Sequence, residues 1–156
     1  MGSGKTLVGA LVAQRSGTGF RDLDLMVEDE AGMAVSDIFA IHSEAVFRAL
    51  ESRLLPKALQ PETVVALGGG AAIDDSNWKL IRELATTVYL EASFETIWAR
   101  IGHQANNRPL FFGHPRDEME ALLNRRRPRY EEASHRVNAD APLDEVATEV
   151  MKLWSA

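Results

Sequence analysis

Apolar positions Leu7, Leu11 and Val12 recur at helical spacing after Thr6, and Gly17 follows them. This spacing predicts a helix over residues 5–15 whose N-terminus is the stretch Gly2 to Lys5. A short extended piece at 20–24 is expected next, then a helical stretch around 25–31 and a brief helical turn at 37–40 capped by Ser36. Ser43 is the expected cap of a longer helix reaching about residue 60, with Val46, Leu50 and Leu54 as its buried stripe and Pro56 marking an early end or a kink. Residues 63–67 (TVVAL) read as a buried strand that runs into Gly68, Gly69 and Gly70.

The alternation continues to the C-terminus. A helix near 76–84, a strand at 87–90, a helix at 93–101 capped by Ser93, a helix at 117–127, a short strand at 136–138 and a helix at 143–154 are expected. Residues 102–115 (GHQANNRPLFFGHP) carry no periodicity, and a loop of that length inside an ordered domain usually serves as a lid or binding loop. Strands alternating with helices, with glycine-rich turns after strands, predict an α/β fold with a parallel sheet and ligands at the strands' C-terminal ends.

Composition narrows the function. A chain of 156 residues with 46% apolar content forms one domain. Its net charge of -6 argues against a nucleic-acid-binding face, so any anion site must be local. There is no cysteine, hence no disulfide framework and no thiolate nucleophile, and His42, His103, His114 and His135 lack metal-ligand spacing. The apolar run Leu7 to Ala13 is broken by Gly9 and lacks a small-x-small cleavage site, and no stretch reaches the 18 apolar residues of a membrane span. A cytoplasmic enzyme without membrane or nucleic-acid partners, and a monomer, is expected.

Three groups of residues carry chemistry. Gly2-Ser3-Gly4-Lys5-Thr6 matches the second half of G-x-x-x-x-G-K-[ST], in which backbone N–H groups and the helix dipole cradle phosphates. In such a loop Lys5 reaches the β- and γ-phosphates and Thr6 offers a hydroxyl to Mg²⁺. Asp22 and Asp24 fall at the end of the expected strand and would take different tasks, one serving metal and the other substrate; the alternative is a pair of turn residues or a helix cap before Leu25. Gly68 to Gly70 either expose backbone amides to a ligand or form a bare turn. Arg48, Arg108 and Arg125-Arg126-Arg127 are surface charges taken singly, but together they supply guanidinium forks suited to carboxylates and phosphates.

Taken in order, MGSGKT (1–6), FRDLD (20–24), AGMAVSDIF (31–39), FRALE (47–51), VVALGGGA (64–71), VYLEAS (88–93), NRPL (107–110) and RRRPRY (125–130) resemble shikimate kinase over essentially the whole chain. The resemblance implies a three-layer P-loop NTPase-type parallel sheet with helices on both faces and a lid at about 102–115. It implies nucleotide binding by Gly2, Ser3, Gly4, Lys5, Thr6 and Arg108, a metal site of Thr6 and Asp22 for Mg²⁺, and an acceptor region at 24–55. Asp24, Arg48, Gly68, Gly69, Gly70 and Arg126 would bind shikimate, with Lys5, Asp24 and Arg108 catalytic, and 138–142 would fall at the adenine loop. Transfer of the γ-phosphoryl of ATP to the 3-hydroxyl of shikimate is the implied reaction; a gluconate-kinase-like enzyme and a nucleotide-binding protein with impaired catalysis are the alternatives. Members of that family begin with an apolar strand feeding the loop, so about ten further residues ahead of Met1 are expected, enough for one strand and a turn.

Overall fold

Glycine sets both ends of the first helix. In the computed structural model, which describes residues 2–103 and 115–154, α1 (Lys5–Ser16) follows Gly4 at φ 91° and stops at Gly17 at φ 69°. Both values lie in the left-handed region that costs a residue with a Cβ about 1–2 kcal/mol. Gly9 serves packing instead, because a Cβ there would stand 2.7 Å from the Phe20 ring. Its absence lets α1 lie against β1 (Gly19–Asp22).

The strand at 20–24 is shorter than expected. β1 ends at Asp22, whose carboxylate accepts hydrogen bonds from the backbone N–H of Asp24 and Leu25 and so starts α2 (Leu23–Ala31). Asp24 therefore sits in the first turn of a helix, not on the extended piece expected at 20–24. The cap expected at Ser36 is also displaced: Ala34 precedes the short α3 (Val35–Asp37), and Glu28 accepts from the Val35 N–H at 2.9 Å. A π-helical turn, Ile38–His42, follows. Ser43 then caps α4 (Glu44–Ala58), accepting from the Val46 N–H at 3.3 Å. The helix continues through Pro56, and its buried stripe is Phe47, Glu51, Leu54, Leu55 and Ala58, with Val46 turned outward. The stripe is thus rotated by one residue, and that rotation puts a glutamate in the interior.

β2 (Thr63–Ala66) leads through the three glycines into a 3-10 turn at Ala71–Ile73 and α5 (Asp75–Leu84), capped by Asp74. β3 (Val88–Glu91), α6 (Phe94–His103), α7 (Arg116–Tyr130), β4 (His135–Asn138) and α8 (Leu143–Trp154) complete the described chain. α7 passes through Pro128 and extends three residues beyond the expected end, which carries Tyr130 to the site. No helix among the described residues is long and apolar enough to cross a membrane.

The parallel α/β architecture is realised as two ladders. β1 pairs with β2 from Gly19↔Thr63 to Asp22↔Ala66, and β3 pairs with β4 from Val88↔His135 to Glu91↔Asn138. Each ladder has its own core. Val8, Val12, Leu90, Ile97, Leu123 and Val146 join α1, α6, α7 and α8 to β3 and β4. Leu23, Val27, Ile38, Leu55, Trp78 and Ile81 join α2, α4 and α5. β2 serves both, because consecutive side chains face opposite sides: Val64 packs on the first core and Val65 on the second.

Among the described residues no strand connects β2 to β3. A cavity of about 510 Å³ is lined by both strands, by Lys5 and Gly69 beyond the C-terminal end of β2, and by Leu84 and Trp154. Thr63, Val64 and Val65 are consequently half-buried, where a fully buried strand was expected.

Candidate functional site at the strand ends

The phosphate loop and the first carboxylate come together directly. Gly2 takes φ 60° and Gly4 φ 91°, and no side chain caps α1, so the amides of its first turn point outward from the positive end of the helix dipole. Ser3 is buried beneath them. The Arg100 guanidinium, which the sequence pattern did not single out, donates to the Ser3 carbonyl at 3.4 Å and to the Ala139 carbonyl at 2.9 Å. It thereby ties the loop to the segment after β4. There Asp140 accepts from the Ser93 N–H at 2.9 Å. Burial works to raise the Asp140 pKa, but donors from Ser93 and Thr96 with the Arg100 charge outweigh it and hold it below the ordinary carboxylate value.

Thr6 donates its hydroxyl to Asp22 Oδ2 at 2.6 Å. Asp22 is 9% exposed, its other oxygen is held by the α2 amides, and β1 aims it at α1. A hydroxyl and a carboxylate so close, beside a phosphate-type loop, fit Mg²⁺, which keeps several waters and takes only one or two protein oxygens along with phosphates. The cap reading and the metal reading of Asp22 are therefore compatible, one using each oxygen.

The second group surrounds the glycine triplet. A Cβ on Gly68 would lie 2.5 Å from Asp24 Oδ1 and 2.8 Å from Glu51 Oε1, and a Cβ on Gly70 would lie 2.1 Å from Arg48 Nη1. A side chain at Gly68 or Gly70 would thus displace the charged ends of Asp24, Glu51 or Arg48, so these two glycines allow close approach as well as a turn. Arg48 donates to Glu51 Oε2 at 2.9 Å and to the exposed Glu44 at 3.2 Å, and stands 5.0 Å from the Phe47 ring centre. Arg126 donates to the Gly69 carbonyl at 3.3 Å, and the Tyr130 hydroxyl donates to the same oxygen. Of the arginine triplet only Arg126 enters this pocket; Arg125 is exposed and Arg127 is half-buried.

Glu51 is the member of this cluster that the pattern missed. It is 1% exposed, and burial raises its pKa above the ordinary carboxylate value, with Asp24 adding to the shift while Arg48 and Arg126 oppose it. Tyr130 is likewise pushed up, chiefly by burial. An arginine and a glutamate three apart on a helix look like a surface pair, and only the rotated face of α4 distinguishes this one.

Lys5 lines the same cavity as Gly68 and Gly69; Asp24 lies against Gly68 and Arg126 donates to the Gly69 carbonyl, and neither of these two lines that cavity. The glycine triplet thus borders both the cavity that Lys5 lines and the charged cluster of Asp24, Arg48, Glu51 and Arg126. Arg108 and the lid expected at 102–115 fall, apart from the end of α6 and Pro115, outside the described residues.

Comparison with known proteins gives the same picture. A family model described as Shikimate kinase matches residues 1–154. The shikimate kinase of Salinibacter ruber is 40% identical over 166 residues, covering 100% of this chain and 81% of its own. That of Gloeobacter violaceus is 39% identical over 158 residues, covering 100% of this chain and 89% of its own. A solved shikimate kinase from Acinetobacter baumannii in complex with shikimate superposes with TM-score 0.91 at 29% identity, covering 99% of this chain and 88% of that one. A gluconokinase from Sinorhizobium meliloti 1021 aligns with TM-score 0.60 at 23% identity, which shows a shared fold alone. With a phosphate-type loop, an arginine-bearing cluster at the glycine triplet, and relatives matched over its full length, the chain belongs to the shikimate kinase family.

Proposed function

We propose that this protein transfers the γ-phosphoryl group of ATP to the 3-hydroxyl of shikimate, giving shikimate 3-phosphate and ADP. The observation that carries the reading is the convergence of Asp24, Arg48 and Arg126 on Gly68–Gly70, of which Gly68 and Gly69 also line the cavity that Lys5 lines at the mouth of α1. Two guanidiniums on different helices suit an acceptor that is itself a carboxylate, and a sugar acid is held to the same standard by the assay below.

In this reading the amides of Gly2, Ser3 and Gly4 and the Lys5 ammonium receive the β- and γ-phosphates. Thr6 and Asp22 would hold Mg²⁺, which offsets the charge spread over the transferred group. Arg48 and Arg126 grip the acceptor carboxylate and turn its ring so that a hydroxyl meets Asp24, which accepts the hydroxyl proton as the oxygen bonds to phosphorus. Glu51 fixes the Arg48 fork by pairing with one nitrogen. Arg108 is assigned to the phosphates on the resemblance alone.

The test is ADP release by this 156-residue chain with ATP, Mg²⁺ and either shikimate or gluconate. Turnover with shikimate and none above background with gluconate is expected. Equal turnover would reassign the acceptor, and nucleotide binding without turnover on either would leave a non-catalytic protein.

A further inference from the structure

We infer that docking of the acceptor's carboxylate puts a proton on Glu51, making acceptor binding proton-linked. The inference rests on the acceptor pocket proposed above and extends it to a charge balance.

Glu51 is a full-length carboxylate in the interior with one oxygen engaged and one idle. Oε2 accepts from Arg48 at 2.9 Å, whereas Oε1 is buried with no hydrogen-bond partner. Leaving such an oxygen ionised is costly where no protein donor replaces its hydration. Oε1 also faces the wrong neighbour. It and Asp24 Oδ1 both press on Gly68, so the two oxygens lie within about 5.3 Å of each other, the sum of their separations from the Gly68 Cβ position.

The charged groups facing Glu51 come from three helices. α4 supplies Arg48, with Glu44 on its exposed side; α2 supplies Asp24; α7 supplies Arg126 and the neutral Tyr130. Gly68–Gly70 contributes backbone only. Arg48 and Arg126 face Asp24 and Glu51 here, and Arg48 is shared with Glu44 on its outer side. An acceptor carboxylate adds one negative charge, takes a share of both guanidiniums and excludes water, all of which disfavour a second carboxylate beneath it. A proton from solvent on Oε1 offsets the added negative charge, leaves Oε2 free to keep accepting from Arg48, and gives the idle oxygen an O–H directed toward the Asp24 side. Burial already pushes Glu51 upward before any ligand arrives.

The sign of the linkage follows. The bound state holds more protons than the free state, so affinity is greatest at low pH. The dissociation constant rises by up to about tenfold per pH unit between the free and bound pKa values of Glu51. Glu51→Gln mimics the protonated form, with an oxygen for Arg48 and an N–H on the idle side. It abolishes the dependence and binds more tightly than the native protein at high pH, which a residue with a purely structural role would not do.

Calorimetry of shikimate binding, without nucleotide or Mg²⁺, is the test. It is run from about pH 6 to about pH 9, where the ligand's own carboxyl stays ionised, in paired buffers of different ionisation enthalpy. The expected result is uptake of up to one proton per shikimate, a dissociation constant rising with pH, and a flat profile for Glu51→Gln. No proton uptake by the native protein anywhere in that range overturns the inference without reference to any variant. So does a Glu51→Gln profile with the native slope, or one weaker than native at every pH. Failure of shikimate to bind the native protein at all would instead remove the acceptor reading on which the inference stands.

Discussion

At the mouth of α1 the groups proposed to bind phosphate are backbone amides, whereas those proposed to bind the acceptor around Gly68–Gly70 are charged side chains that hold one another. The amides are placed by Gly2 and Gly4 and by the helix itself, within six residues of sequence. The acceptor pocket draws Asp24, Arg48, Glu51, Arg126 and Tyr130 from three helices separated by up to about a hundred residues. A backbone site needs the right turn and little else. A side-chain site needs the fold, and it also needs neutralising partners, because two arginines brought together without Glu51 and Asp24 would repel each other.

The contrast predicts which substrate each substitution will affect. Asp24→Asn removes the base and should lower kcat by about 10²- to 10⁴-fold, with nucleotide binding intact by fluorescence titration. Arg126→Lys replaces a fork with a point charge and should raise the KM for shikimate about 10- to 100-fold while leaving that for ATP within about twofold, from a lost charged hydrogen bond of about 1.5–3 kcal/mol. Equal effects on the two KM values in steady-state kinetics would merge the two sides.

Gly68→Ala places a methyl against two carboxylates at 2.5 and 2.8 Å. It should cost about 1–3 kcal/mol of stability in denaturant unfolding and weaken shikimate binding more than ATP binding. Thr6→Ala deletes the hydroxyl that donates to Asp22. It should raise the Mg²⁺ requirement in the ADP-release assay while costing only about 0.5–1.5 kcal/mol in stability.

The smallest effect concerns pH. Asp140 has a lowered pKa, so its contribution is present above the unfolded value near 3.9 and is lost as pH falls through the folded value; Asp140→Asn should flatten the acid limb of the unfolding midpoint slightly.

The same contrast explains what could be read from residues alone. The loop GSGKT, the α8 boundaries at Leu143 and Trp154, and the Ser43 cap were legible because each depends on neighbours within a few positions. Arg48 and Arg126 were reached through their resemblance to a family pattern. Glu51 was not, since its burial depends on α4 turning Phe47 rather than Val46 inward, a choice made by the packing of α2 and α5. Asp24 was placed on a strand because alternation continued one step too far; the Asp22 carboxylate, by collecting the amides behind it, ends β1 and starts α2. Ser36 lost its cap role to Glu28, a side chain seven residues upstream of the amide it receives.

Phosphorus NMR of ATP, Mg²⁺ and shikimate incubated with this chain tests the central claim that a phosphate cradle and a carboxylate grip face one another. The account predicts a new phosphomonoester resonance, coupled to the proton on shikimate carbon 3, growing in step with ADP. ADP accompanied by inorganic phosphate alone, or a phosphomonoester on a different shikimate hydroxyl, would contradict it.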